Sequence, residues 1–232
     1  MFKLLGLLQK YSKVTCLERK IMLKVENQSN IIILLDRSGS MQSIASDVRG
    51  SIQNFILEQQ KQKDSCVLTL IQFDSQNDQE IIFKQQDISK IKYDPTSFSP
   101  RGMTPLWSAI GKAIDSHKDI PKDEKVVFVI VTDGQNNIFG EYSSEKVKEL
   151  VKEKENNGWV FVYLGANVDA FAEGNSMGLS ACNTVSYNQT SKSVKKGINK
   201  LSDKVSSYRS IRGPGGQSVM SFSEEDREDI SN

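Results

Sequence analysis

The sequence has little of what most metal and redox chemistry needs. Its 232 residues include one histidine, His117, and three cysteines, Cys16, Cys66 and Cys182. One imidazole cannot assemble a histidine-rich metal site, and the place of His117 in the polar stretch "DSHKDIP" predicts a role at the end of a helix. The cysteines are odd in number, far apart and without a C-x-x-C pair. Neither a disulfide framework nor a zinc site is therefore indicated, and buried free thiols in the reducing cytoplasm are the expectation. An excess of one charge is lacking too. With 30 basic and 29 acidic side chains the formal net charge is +1, so no global surplus of Lys and Arg is available to neutralise the phosphates of a nucleic acid. No apolar run approaches the roughly 20 residues needed to cross a bilayer. No G-x-x-x-x-G-K-[ST] loop is present to cradle a nucleotide.

What remains is 38% hydrophobic and 25% charged, the composition of an ordinary globular chain long enough for one sizeable core or a domain with tails. The stretch "MFKLLGLLQKYSKVTCLERKI" stands apart, being basic and apolar at Phe2, Leu4, Leu5, Leu8 and Tyr11. A membrane-surface helix or a targeting peptide would fit that pattern. The apolar patch is short and broken by Lys10 and Lys13, which favours a short helix packed on the domain, or an extension upstream of a functional start at Met22. Residues 1–27 are read as an N-terminal extension.

From Ile31 onward, short β-branched runs alternate with amphipathic segments. "IIILLD" reads as a buried strand, and Ile44, Val48, Ile52, Phe55 and Ile56 recur at helical spacing between Ser43 and Lys61. "CVLTLIQFDS" and "EIIFKQQD" read as a hairpin across "SQND". "PLWSAIGKAIDSH" reads as a helix with Pro105 in its first turn. Then follow the strand "VVFVIVTDG", a Ser-capped helix in "SSEKVKELVKEKENNG" closed by Gly158, and the strand "WVFVYLGAN". A short helix from Asp169 to Met177 and a last edge strand "NTVSYN" complete the sheet. Val194, Ile198, Leu201, Val205 and Tyr208 then draw one apolar stripe along a helix expected to pack on the sheet. This alternation predicts an α/β fold, a doubly wound, mostly parallel sheet covered by helices on both faces. The domain spans 28–209, and "GPGGQSVMSFSEEDREDISN" predicts a flexible acidic tail over 210–232.

The candidate site comes from how two apolar strands end. Asp36 ends "IIILLD" and Asp133 ends "VIVTDG", and ligands of open α/β sheets gather beyond the carboxyl ends of strands where strand order reverses. If the two strands are neighbours there, both carboxylates reach one crevice. Ser38 and Ser40 follow Asp36 in a turn that Gly39 lets fold tightly. Thr104 sits between Gly102 and Pro105 in "SPRGMTPLW". Two carboxylates and three hydroxyls are an all-oxygen set, the kind hard divalent cations such as Mg²⁺ or Mn²⁺ take. Each residue taken alone has another reading, since Ser40 or Ser43 could cap the following helix.

The pattern Asp36-x-Ser38-x-Ser40, then Thr104, then Asp133-Gly134 resembles the metal-ion-dependent adhesion site of von Willebrand factor type A domains. The resemblance runs from about Gln28 to Tyr208, and "YLGANVDAF" is similar to small stand-alone bacterial and phage members. It implies a mostly parallel sheet with one antiparallel edge strand and about six helices. It also implies that Ser38, Ser40 and Thr104 contact the metal while Asp36 and Asp133 act partly through hydroxyls and water. An ion held by neutral hydroxyls keeps much of its charge, so its open position should attract an Asp or Glu of a protein partner. Met41, Met103, Gln135 and Asn136 are candidate rim residues. No histidine stands near these motifs to act as a base, so a non-enzymatic binding module in an intracellular assembly is the first reading. A metal-assisted hydrolase using Asp36 or Asp133, and an assembly factor with a structural metal, are the alternatives.

Overall fold

The computed structural model describes residues 28–166, 170–211 and 216–232. The N-terminal extension and the Asp169 start of the short helix lie outside them. Six strands form one sheet: β1 (Ser29–Asp36), β2 (Cys66–Asp74), β3 (Asn77–Asp87), β4 (Lys125–Thr132), β5 (Val160–Ala166) and β6 (Thr184–Tyr187). Their order is β3-β2-β1-β4-β5-β6, all parallel except β3, the antiparallel edge strand that pairs with β2. β1 and β4 are completely buried, which explains why their sequences are continuous apolar runs and do not alternate.

Among the described residues there are six α-helices: α1 (Ala45–Gln60), α2 (Leu106–Asp115), α3 (Ser144–Asn156), α4 (Ala170–Ser176), α5 (Ser191–Ser210) and α6 (Glu224–Ser231). Successive strand residues point to opposite faces. Ile31, Ile33 and Leu35 thus join Val48, Ile52, Leu201 and Val205 in a core under α1 and α5. Ile32 and Leu34 join Ala109, Ile110, Val147 and Val151 in a second core under α2 and α3. The predicted stripe of α5 is buried throughout. Local starts follow the sequence signals: the Ser143 hydroxyl accepts the Lys146 N–H and the Thr190 hydroxyl accepts the Ser193 N–H, each satisfying a free donor of a first turn. His117 lies just beyond α2 and its Nδ1 sits 2.8 Å from the Ala113 carbonyl, so the helix-end role holds. Cys66 is buried, but Cys182 is exposed, contrary to the expectation for all three thiols.

The acidic C-terminal segment differs from its composition. Gln217–Met220 forms a 3-10 turn and α6 lies along α5, with Met220, Phe222 and Ile230 buried. Its acids face lysines spaced one turn apart on α5: Lys196 pairs with Asp229 at 2.8 Å, and Lys200 and Lys204 with Asp226 at 3.2 and 2.8 Å. Mean composition cannot register that three apolar residues of the segment reach one core while the acids complement one basic stripe. Partial burial works to raise the Asp226 carboxyl, but Lys204, the Ser223 N–H and Lys200 together hold it down at about 2. A depressed carboxyl contributes stability above its ordinary range and loses it as pH falls through the folded value. The melting temperature of Asp226→Asn should therefore lie about 2–4 °C below that of the parent near pH 6. That gap should close between about pH 4 and pH 2. A gap that stays constant to pH 2 would show that the lysines do not act on Asp226.

Candidate metal centre

β1 and β4 are adjacent, and chain order departs in opposite directions from them, so the crevice above their carboxyl ends is the switch point of the sheet. Asp36 is the last residue of β1 and Asp133 the first after β4. Three loops meet there and are zipped together by their backbones. The Arg101 N–H donates to the Arg37 carbonyl at 2.8 Å, Gly39 to Gly102 at 3.0 Å, and Asn137 to Thr104 at 3.1 Å. Asn137 also accepts the Thr104 N–H through Oδ1 at 2.7 Å. Gly102 makes the middle loop possible: its φ is +68°, and a Cβ there would come within 2.5 Å of Ser75 Oγ.

This scaffold brings the hydroxyls together. Ser38 Oγ lies 3.0 Å from Ser40 Oγ, and the Ser40 hydroxyl donates to Asp133 Oδ1 at 2.7 Å. A Cβ built on Gly134 would be 3.5 Å from Thr104 Oγ1 and 3.8 Å from Ser40 Oγ, so hydroxyls of two separate loops close on the same glycine. Asp36 sits below this group, fully buried, its Oδ1 accepting the Ser38 N–H at 2.7 Å and its Oδ2 the Thr132 hydroxyl at 2.6 Å. The capping alternative does not account for the serines. Ser38 precedes the 3-10 turn Gly39–Ile44 and Ile44 precedes α1, and neither start has a side-chain cap.

The electrostatics favour a cation. Burial pushes Asp36 up to about 7, against hydrogen bonds from Thr132 and Ser38, and the Asp133 charge adds to the rise. Burial also raises Asp133, opposed by Ser40 and Gln189. Neither carboxylate is in an ion pair with a basic side chain among the described residues. No group of three or more His, Cys, Asp or Glu able to hold a metal occurs among those residues either. An ion here would rest on neutral hydroxyls and two carboxylates, and that donor set suits a hard divalent cation.

Two residues of the centre carry no motif signal. Thr132 bonds Asp36 and also accepts the Gly134 N–H at 3.1 Å; a polar residue at the end of an apolar strand was its only mark in the sequence. Gln189, after β6, donates to Asp133 Oδ2 at 2.9 Å across 56 residues, and no local pattern announces it. The rim expectation needs correction at two positions. Met41 is completely buried, because residues three apart on a 3-10 turn eclipse and Met41 points with Ile44 into the core. Asn136 turns inward, its Oδ1 accepting the Trp107 N–H at the start of α2. Met103 and Gln135 are exposed as expected.

With this fold and site in view, residues 30–204 match the von Willebrand factor type A domain, and the chain belongs to that family. No curated protein sequence matches it significantly. Solved structures share its fold. Proximal thread matrix protein 1 from the mussel byssus aligns with a TM-score of 0.57 and 16% identity over 78% of this chain and 46% of that one, in a form whose MIDAS motif is occupied by zinc. The pilus adhesin SpaC from Lactobacillus rhamnosus GG aligns with a TM-score of 0.63 and 14% identity over 78% of this chain and 31% of that one. The chain thus matches less than half the length of either neighbour.

Proposed function

We propose that this chain is a Mg²⁺- or Mn²⁺-dependent protein-binding module that captures a carboxylate of its partner. The observation that carries the reading is the Ser38–Ser40–Asp133 hydrogen-bonded chain, with Thr104 closing on Gly134 and Asp36 buried beside it, both carboxyls raised by burial and in no ion pair with a basic side chain among the described residues. Ser38, Ser40, Thr104 and Asp133 would hold the ion, with Asp36 orienting the first serine through its backbone N–H. When bound, the ion supplies one open position for an oxygen ligand, and a carboxylate binds it better than a neutral group. Von Willebrand factor type A domains are usually non-catalytic binding modules, and the one histidine of this chain is buried between Thr69 and Ala113 at the far end of α2, away from the site. No helix among the described residues is long and apolar enough to cross a membrane.

The test is capture of partners from a lysate on the immobilised chain with Mg²⁺, repeated in chelator and with Thr104→Ala. The expected result is partner retention in the first arm and loss in the other two. A partner that stays bound in all three uses another surface and leaves the metal a structural role. Calorimetry should show Mg²⁺ and Mn²⁺ binding without preference for Zn²⁺, since sulfur and imidazole ligands are absent from the set. Turnover of generic phosphoesters would instead support the hydrolase reading.

A further inference from the structure

The turn between β6 and α5 reaches the metal centre through one side chain. Gln189 donates to Asp133 Oδ2 at 2.9 Å, while the Ser40 hydroxyl donates to Asp133 Oδ1 at 2.7 Å. A carboxylate bonded at both oxygens is fixed about its terminal torsion, so Gln189 keeps Oδ1 on the side of the serines, where the cation would rest. Gln189 itself is exposed. Its reach to Asp133 therefore depends on where the backbone of its turn is held.

That turn is held from two sides. On the α1 side, the Ser191 hydroxyl donates to Asp47 Oδ2 at 2.5 Å and Lys195 pairs with Oδ1 at 3.0 Å. On the other side stands the end of α6. The Ser193 hydroxyl donates to the Ile230 carbonyl at 2.6 Å, Asn188 Nδ2 to the Ser231 carbonyl at 2.6 Å, and Lys192 Nζ to the Asn232 carbonyl at 3.0 Å. Carbonyls that a helix end leaves without partners are thus taken by the residues on either side of Gln189. The Ser193 hydroxyl also accepts the Asn188 N–H at 2.9 Å, so closure of the turn and its grip on Ile230 share one atom. Ile230 is completely buried, and a Cβ built on Gly197 would lie 3.7 Å from its Cγ2, which seats the last turn of α6 directly on α5. The family match ends at residue 204, and α6 lies wholly beyond it.

We infer that α6 is a strap that sets the metal centre from outside the matched domain: it holds the 188–193 turn, the turn places Gln189, and Gln189 orients Asp133 for the cation. Gln189 is a positioning residue, acting through Asp133. Lifting α6 from α5 would lower metal affinity while leaving Asp36, Ser38, Ser40, Thr104 and Asp133 in the sequence untouched. The inference rests on the proposed cation-dependent capture and adds a remote control over it.

Calorimetric titration of the full chain with Mg²⁺ tests it, on the parent, Gln189→Ala, Ile230→Asp and the double variant, with thermal melts of each in chelator. Gln189→Ala should bind the ion roughly tenfold more weakly, the loss that follows removal of a hydrogen bond orienting a metal ligand. It should melt with the parent, because the side chain is exposed. Ile230→Asp puts a charge on the buried face of α6 and should weaken binding by a similar factor while lowering the melting temperature. The double variant should bind no more weakly than the weaker single one, since both remove the same contact. Losses that multiply in the double variant, or parental affinity in Gln189→Ala, would overturn the proposal. If Ile230→Asp does not fold, Asn188→Ala takes its place, dropping the bond to Ser231 at an exposed residue. Reduced affinity that Gln189→Ala does not deepen would then support the strap, and parental affinity would overturn it. A parent that binds no Mg²⁺ would overturn the cation reading itself, and the strap with it.

Discussion

Asp36→Asn should make the metal-free chain more stable at pH 8 while abolishing its binding of Mg²⁺. Burial holds Asp36 at about 7, so below its ordinary carboxyl range the neutral form favours the folded state, and that contribution is lost as pH rises through about 7. At 1.36 kcal/mol per pKa unit, ionising this carboxyl in the fold costs up to about 4 kcal/mol. An amide escapes that cost and keeps the geometry. Its oxygen can accept the Ser38 N–H, and its NH₂ can face Thr132 Oγ1, which has the Gly134 carbonyl 3.1 Å away as an acceptor for its own proton. The gain in melting temperature should be absent near pH 4, grow to pH 7, and level off at about 5–10 °C. Thermal scans in chelator across that range, with matched calorimetry in Mg²⁺, check both halves. A variant that melts below the parent at pH 8 would show that ionised Asp36 is satisfied in the fold and is not waiting for a cation.

Arg37→Ala should cost more than any other single truncation on this surface. Arg37 lies between two motif residues but turns away from the site, 3% exposed, with Nε 2.8 Å from Asp74 Oδ2, Nη1 3.3 Å from Gln72 Oε1 and Nη2 2.5 Å from Glu80 Oε2. Burial disfavours the guanidinium's charge, but Glu80 and Asp74 more than restore it, and both carboxylates titrate below their usual range. Removing the arginine strands Asp74, which has no exposed surface and keeps only Arg101 and the Gln76 and Asn77 N–H groups. A broken buried pair costs about 3–5 kcal/mol, and Arg101 compensates for part. The melting temperature should fall on the order of 10 °C. Arg37→Lys keeps the charge without the fork and should fall between the two. If Arg37→Ala melts with the parent, Arg101 alone neutralises Asp74.

These two neighbours show how one loop serves two masters. Asp36 is held at a disadvantage that a cation would relieve, while Arg37 locks the same turn to β2 and, through its carbonyl, to the Arg101 backbone. The stability of the loop and the strain of the site are therefore separable by adjacent substitutions.

The strands, the two-faced helical cover and the antiparallel edge were legible in the sequence because they follow from local rules. β1 and β4 had to be central once their apolar runs were continuous, and α5 had to face the sheet once Val194 to Tyr208 formed one stripe. The residue types at 36, 38, 40, 104 and 133 were legible for the same reason, since each ends an element or shapes a turn. What only the tertiary structure decided are matters of direction and distance. Met41 turns into the core, Asn136 ties a loop to α2, Gln189 reaches Asp133, and Phe139 is held in water. The acidic segment packs as α6 because Met220, Phe222 and Ile230 reach the core and a basic stripe on α5 lies opposite its acids. Periodicity tells which residues share a face of one element, because that depends on backbone geometry over a few residues. Which side chain of one loop meets which atom of another depends on how separate elements pack, and no stretch of sequence contains both partners.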